Sequence, residues 1–178
     1  MRYWQYAVYR LHRTGSIDEA IRHLESLCHR SFIPGLAQQR RIAQYSASLR
    51  EYHRSFASLH HRFIRSSLRV SATLAQNVVS SAEVGRIDMT GPGYAFCLLL
   101  KAIGSNWRDD IRMPLIQHLV ATELRVPVEM VQAGVYTIED ERHQWHTYSA
   151  SEVRSARARA SQLGAQIVAA ARRLRYAL

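Results

Sequence analysis

Tyr94-Ala95-Phe96-Cys97-Leu98-Leu99-Leu100-Lys101 is the stretch whose reading decides the fold. Seven residues without a charge are too short for a buried helix and long enough for a strand covered on both faces. Thr90-Gly91-Pro92-Gly93 precedes it as a tight turn. Before that turn, Glu83-Val84-Gly85-Arg86-Ile87-Asp88-Met89 predicts a second strand, antiparallel to the first. Lys101 ends the quoted run and is the only lysine in the chain, against twenty-three arginines. Arginine does not replace a lysine freely, because a planar guanidinium keeps its proton and approaches a phosphate differently from a compact ammonium.

Outward from this pair, Arg69 to Val79 alternates and predicts the first strand of a three-stranded meander. The spacing predicts a helix over Asp109 to Leu124, with Pro114 near its first turn. A fourth strand is expected at Val131 to Ile138 and a short fifth at Gln144 to Tyr148. Ser149 to Glu152 opens a last helix that runs to about Ala177.

The first third reads as helical. Trp4, Val8 and Leu11 mark one helix, and Gly15 ends it. Ser16-Ile17-Asp18-Glu19 is a capping box for a second. Tyr45, Leu49, Tyr52, Phe56, Leu59 and Phe63 recur in steps of four and three, which predicts one long helix from Leu36 to Leu68 with an aromatic seam. The expected fold is therefore α/β (α+β). Residues 1–178 form one domain, with a helical part over 1–68, an αβ core over 69–148 and a C-terminal helix over 149–178.

With 178 residues, a formal charge of +10 and a pI near 10.3, the chain calls for a polyanionic partner, nucleic acid first. Cys28 and Cys97 have no metal-ligand spacing and no disulfide framework, so a reducing, cytoplasmic setting is expected. No stretch approaches the length that spans a bilayer, and Met1 to Arg13 is not read as a signal peptide. The histidine pair His143 and His146 has no third ligand nearby and reads as surface. A phosphate-binding glycine loop and a nucleophile elbow are both missing from the sequence.

Helices, a three-stranded meander, a helix and a further strand resemble the PD-(D/E)xK nuclease superfamily, in particular its RecB-like branch and the restriction-endonuclease-like core. The resemblance covers Arg69 to Tyr148 and rests on few residues. Gly85-Arg86-Ile87-Asp88 resembles the G-x-x-D strand, Lys101 stands in the place of the motif lysine, and Gln117 resembles the glutamine of Q-x-x-x-Y. It implies catalytic roles for Asp88, Lys101 and Gln117, with Mg²⁺ held by Asp88. Glu83 is the first candidate for a second ligand. Arg86, Trp107, Arg108 and Arg112 are the candidate nucleic-acid contacts. Two positions depart from the motif: Leu99 stands where the second acid belongs, and Ala121 where the tyrosine belongs. Leucine cannot bind a metal. Two accounts of the motif stay open, a degenerate, non-cleaving relative that binds DNA, RNA or a partner protein, and a nuclease with a relocated acid; the alternative from another class is a helical interaction subunit that offers its seam to a protein partner or a second copy.

Overall fold

The computed structural model describes residues 1–104 and 106–175. Helices α1 (Arg2–Thr14), α2 (Ile17–Ser31) and α3 (Leu36–Ala57) come first. Strands β1 (Arg62–Ala75), β2 (Val78–Met89) and β3 (Tyr94–Leu100) follow, then α4 (Arg112–Leu124), β4 (Val131–Thr137), β5 (Arg142–His146) and α5 (Ala150–Arg175). The five-stranded sheet has the order β1-β2-β3-β4-β5. Strands β1, β2 and β3 form an antiparallel meander, β4 lies parallel to β3, and β5 is antiparallel to β4. A parallel neighbour requires a crossover, and α4 supplies it. The expected meander, crossover helix and further strand are thus present, with helices at both ends of the chain.

Each face of the sheet carries its own core. Phe96 on β3 packs with Ile87, Met113, Ile116, Val120 and Val135 on the side of α4. Cys97 and Leu99, the alternate residues, pack with Trp4, Val8, Leu24, Leu49 and Tyr52 on the side of α1 to α3. This double burial explains why β3 is apolar at every position.

Four boundaries differ from the sequence expectation; α4 starts at Arg112 and not at Asp109, β5 is Arg142–His146 and not Gln144 to Tyr148, and the other two are larger. Helix α3 ends at Ala57 and not at Leu68, because the chain reverses through His60, whose φ is +54°, and enters β1 at Arg62. Phe63 suits a helical seam and a strand face alike, so spacing alone does not separate them. The expected strand from Arg69 to Val79 contains a hairpin turn: Ala75 pairs with Val78 across Gln76-Asn77, and Asn77 takes the left-handed conformation at φ +63° that asparagine tolerates. The seam itself faces inward, with Leu49 and Tyr52 fully buried and Tyr45 and Phe56 packed beside them.

The caps follow the sequence in part. Ser16 Oγ accepts from the Glu19 amide at 3.2 Å, but the Glu19 carboxylate turns away to Arg10 at 3.0 Å. At α5 the box closes in both directions: Ser149 Oγ accepts from the Glu152 amide and Glu152 accepts from the Ser149 amide at 2.8 Å. The expected end of this helix at Ala177, and Ser105 in the loop after β3, lie outside the described residues. Among the described residues no helix is long and apolar enough to cross a membrane.

Candidate functional site

Asp88 lies on β2 opposite Ala95, and Arg86 lies opposite Cys97. Directly opposed residues share a sheet face, so both side chains enter the core beneath α1 to α3. Both are fully buried. Arg86 Nε donates to Asp88 Oδ2 at 2.7 Å. Arg86 Nη1 donates to the Tyr52 hydroxyl and to His143 Nε2, the latter at 3.2 Å. The guanidinium also lies against the Phe56 ring, 4.4 Å from its centroid.

The protonation states follow from these contacts. Burial works against the Arg86 charge, but Tyr52, Cys97 and Asp88 outweigh it and hold the guanidinium above its ordinary pKa. Burial also pushes the Asp88 carboxyl up, while Arg86 pulls it back. An arginine does not give up its proton, so Asp88 remains the counter-ion of a buried cation. His143 is held neutral, its pKa pushed to about 2 by burial and then by Arg86. His12 is held neutral at about 3 for the same two reasons.

A serine and a histidine meet here, Ser55 Oγ and His143 Nδ1 at 2.9 Å. The tautomer decides their chemistry. Arg86 can only donate, so His143 Nε2 accepts and Nδ1 carries the proton. Nδ1 therefore donates to Ser55 and cannot take the hydroxyl proton. Ser55 is not an activated nucleophile. Tyr52 accepts from Arg86, and its hydroxyl is hydrogen-bonded to His12 Nε2 at 2.6 Å. His61 closes the cluster on the other side, 3.7 Å from Asp88 Oδ2 and with its ring 5.2 Å from Trp145.

The other candidate residues lie elsewhere. Lys101 follows the end of β3, is exposed, and faces Glu139 at 3.6 Å. It stands six residues beyond Ala95, the partner of Asp88, or roughly 20 Å along the strand. The structure does not bring Asp88 and Lys101 to one cleft. Glu83 is exposed and accepts from Ser67 Oγ at 2.7 Å. Gln117 is buried as a staple: its Nε2 donates to the Val128 and Tyr148 carbonyls, and its Oε1 accepts from the Tyr148 amide. Trp107 is buried in the core under α4 and donates to Gln144. Arg108 and Arg112 are exposed, Arg108 over the Trp107 ring and Arg112 paired with Asp110. Arg86 is internal, so these arginines do not converge on one surface.

The residues around Asp88 do not fit the Mg²⁺ that the resemblance implies. Mg²⁺ takes oxygen ligands at octahedral positions. On the same face β3 offers Ala95, Cys97 and Leu99, and one carboxylate oxygen is already held by a guanidinium. Among the described residues no three His, Cys, Asp or Glu side chains are grouped so as to hold a metal ion.

Tyr52, His12, His61 and His143 are the members of this cluster that the sequence did not announce. Tyr52 was legible as a seam residue, not as a partner of Arg86. His143, expected at the surface, is half-buried against Tyr136 and Trp145. One signal was available: His12 falls four residues after Val8, on the apolar stripe of α1.

No protein-family model matches the chain, and no curated protein matches it in sequence. Its backbone is similar to the crystal structure of a "Putative exonuclease" from Eubacterium rectale, with a TM-score of 0.51 and 9% identity. The likeness covers 85% of this chain and 62% of that one. At this identity, what the two share is the fold.

Proposed function

We propose that this chain is a nucleic-acid-binding protein built on a nuclease-like fold of the PD-(D/E)xK type, in which the metal-binding position has become an internal ion pair. One observation carries the reading: the Arg86 guanidinium sits on the Asp88 carboxylate at 2.7 Å, fully buried, where the G-x-x-D motif would present a ligand to a metal. A fixed organic cation takes one oxygen of the carboxylate in place of the ion. The basic balance of +10 supports a polyanion as partner. The seam of α3, which an interaction subunit would expose, packs inward, and this favours the nucleic-acid reading over the protein-partner one.

The test is a titration of labelled DNA and RNA at low and moderate salt, together with a cleavage assay in Mg²⁺ and Mn²⁺. The reading expects binding that weakens roughly tenfold or more between 50 and 200 mM salt through counterion release, without cleavage. Failure to bind either polymer at low salt contradicts it.

A further inference from the structure

The edge strand β1 separates two grooves. The first, about 420 Å³, lies between α1 and the start of β1 and is lined by Tyr6, Tyr9, Arg10, Arg13, Phe63 and Arg65 among others. The second, about 520 Å³, lies between β1 and the end of α4 and includes Arg69, Ser71 and Arg125. Along β1 from Phe63 to Ser71 the two together run roughly 25 Å. Their linings carry five arginines, Arg10, Arg13, Arg65, Arg69 and Arg125, and one acid, Glu123.

The two acids that engage these arginines hold them loosely. Glu123 meets Arg65 at 3.4 Å, with both side chains close to half exposed, and Glu19 meets Arg10 at 3.0 Å. Exposed pairs of this kind contribute little and exchange readily for a phosphate. His23, which also lines the first groove, is held below its ordinary pKa by burial and then by Arg10, Arg30 and Arg13.

We infer that the β1 edge is a track for single-stranded nucleic acid, with arginines on its phosphates and Tyr6, Tyr9 and Phe63 offered to its bases. This rests on the nucleic-acid reading above and assigns its surface, which is not the Asp88 region. Five arginines outnumber the three acids beside them, Glu19, Glu123 and Glu83, which lies opposite Arg69 on β2, and this excess supplies the charge complementarity. The rings supply the preference for a single strand, because only an unpaired base turns its face to an aromatic side chain. Charged residues on an edge strand also block pairing with another sheet, which by itself would require no ligand.

The experiment separates the two. Anisotropy of a labelled short oligothymidylate is measured for the wild type, for R13Q/R65Q/R69Q, and for R142Q/R154Q/R159Q, a control with equal charge loss elsewhere. Thermal melts check that each variant is folded. The track predicts that the groove variant binds about tenfold or more weakly and that its log–log salt slope falls by roughly 2, at about 0.7 per lost phosphate contact, while the control stays within about twofold of wild type. Tyr9→Ala is expected to weaken binding without changing the salt slope. Equal losses in both triple variants, or wild-type affinity in the groove variant, overturn the track and leave the nucleic-acid reading standing. Tighter binding of a duplex of the same length overturns the single-strand assignment. A wild type that binds no oligonucleotide at low salt overturns the nucleic-acid reading itself.

Discussion

Arg86 and Asp88 occupy the same face of β2 two residues apart, and the Nε–Oδ2 distance of 2.7 Å makes them each other's counter-ion in a core that excludes water from both. The pair is incompletely satisfied. Arg86 Nη2 and Asp88 Oδ1 are buried without hydrogen-bond partners among the described residues. Such a pair stabilises little relative to apolar residues of the same shape, yet removal of one member leaves a bare charge.

Asp88→Asn and Arg86→Met are therefore each expected to lower unfolding free energy by about 3–5 kcal/mol. Replacing both with apolar residues is expected to cost much less than the sum. Urea denaturation of the two single variants and the double variant measures this coupling. Additive losses would show that the pair does not act as a unit.

Stability is expected to fall with pH below about 6.5. His12 and His143 are neutral in the folded protein, with pKa values of about 3 and about 2, whereas an unfolded histidine protonates near 6.5. Between 6.5 and about 3 the unfolded chain binds more protons, so stability is lost as pH falls, by up to about 1.4 kcal/mol per unit for each histidine. Asp88, raised above its ordinary value, opposes this at the acidic end. Denaturation midpoints at a series of pH values should show the slope, and His143→Gln should reduce it by about one proton. An unchanged slope in that variant would remove His143 from the cause.

Leu99→Glu is expected to destabilise the protein and not to create a metal site. Leu99 is 2% exposed and packs beneath the N-terminal helices, with its side chain 2.8 Å from the place where a Cβ on Gly85 would stand. A carboxylate there is placed among the apolar side chains of that core. A loss of at least about 3 kcal/mol in chemical denaturation is expected. A stable variant that binds Mn²⁺ by calorimetry would contradict this.

Gly134 is held by contact. It pairs with Trp145 across β4 and β5, and a Cβ at this position would lie 2.1 Å from the indole ring. Gly134→Ala is expected to cost about 1–3 kcal/mol and to alter tryptophan fluorescence as Trp145 leaves its stack on His143. An alanine variant with wild-type stability and emission would show that the indole moves freely.

The sheet was legible where one physical cause dominated. β3 is apolar throughout because both faces are covered, and the Thr90–Gly93 turn closes with Thr90 and Gly93 bonded to each other. The start of β1 was hidden because Leu59 and Phe63 continue the α3 spacing, and one turn at His60 divides the two readings. The site was less legible. Asp88 and Arg86 stood out as residues of a motif, but their pairing depends on which face β2 buries, and Lys101 was separated from them by the length of β3. The histidines come together from α1, from the turn before β1 and from β5, and no local pattern records such a meeting.

Metal-dependent cleavage by wild type and Asp88→Asn, on plasmid and single-stranded substrates in Mg²⁺ and in Mn²⁺, with calorimetric titration of each metal into the free protein, decides whether Asp88 holds a metal or an arginine. An internal Arg86–Asp88 pair predicts no metal uptake at Asp88 and no cleavage by either protein. Metal-dependent cleavage by wild type that Asp88→Asn abolishes while the protein remains folded would contradict it, and would return Asp88 to the role of a metal ligand.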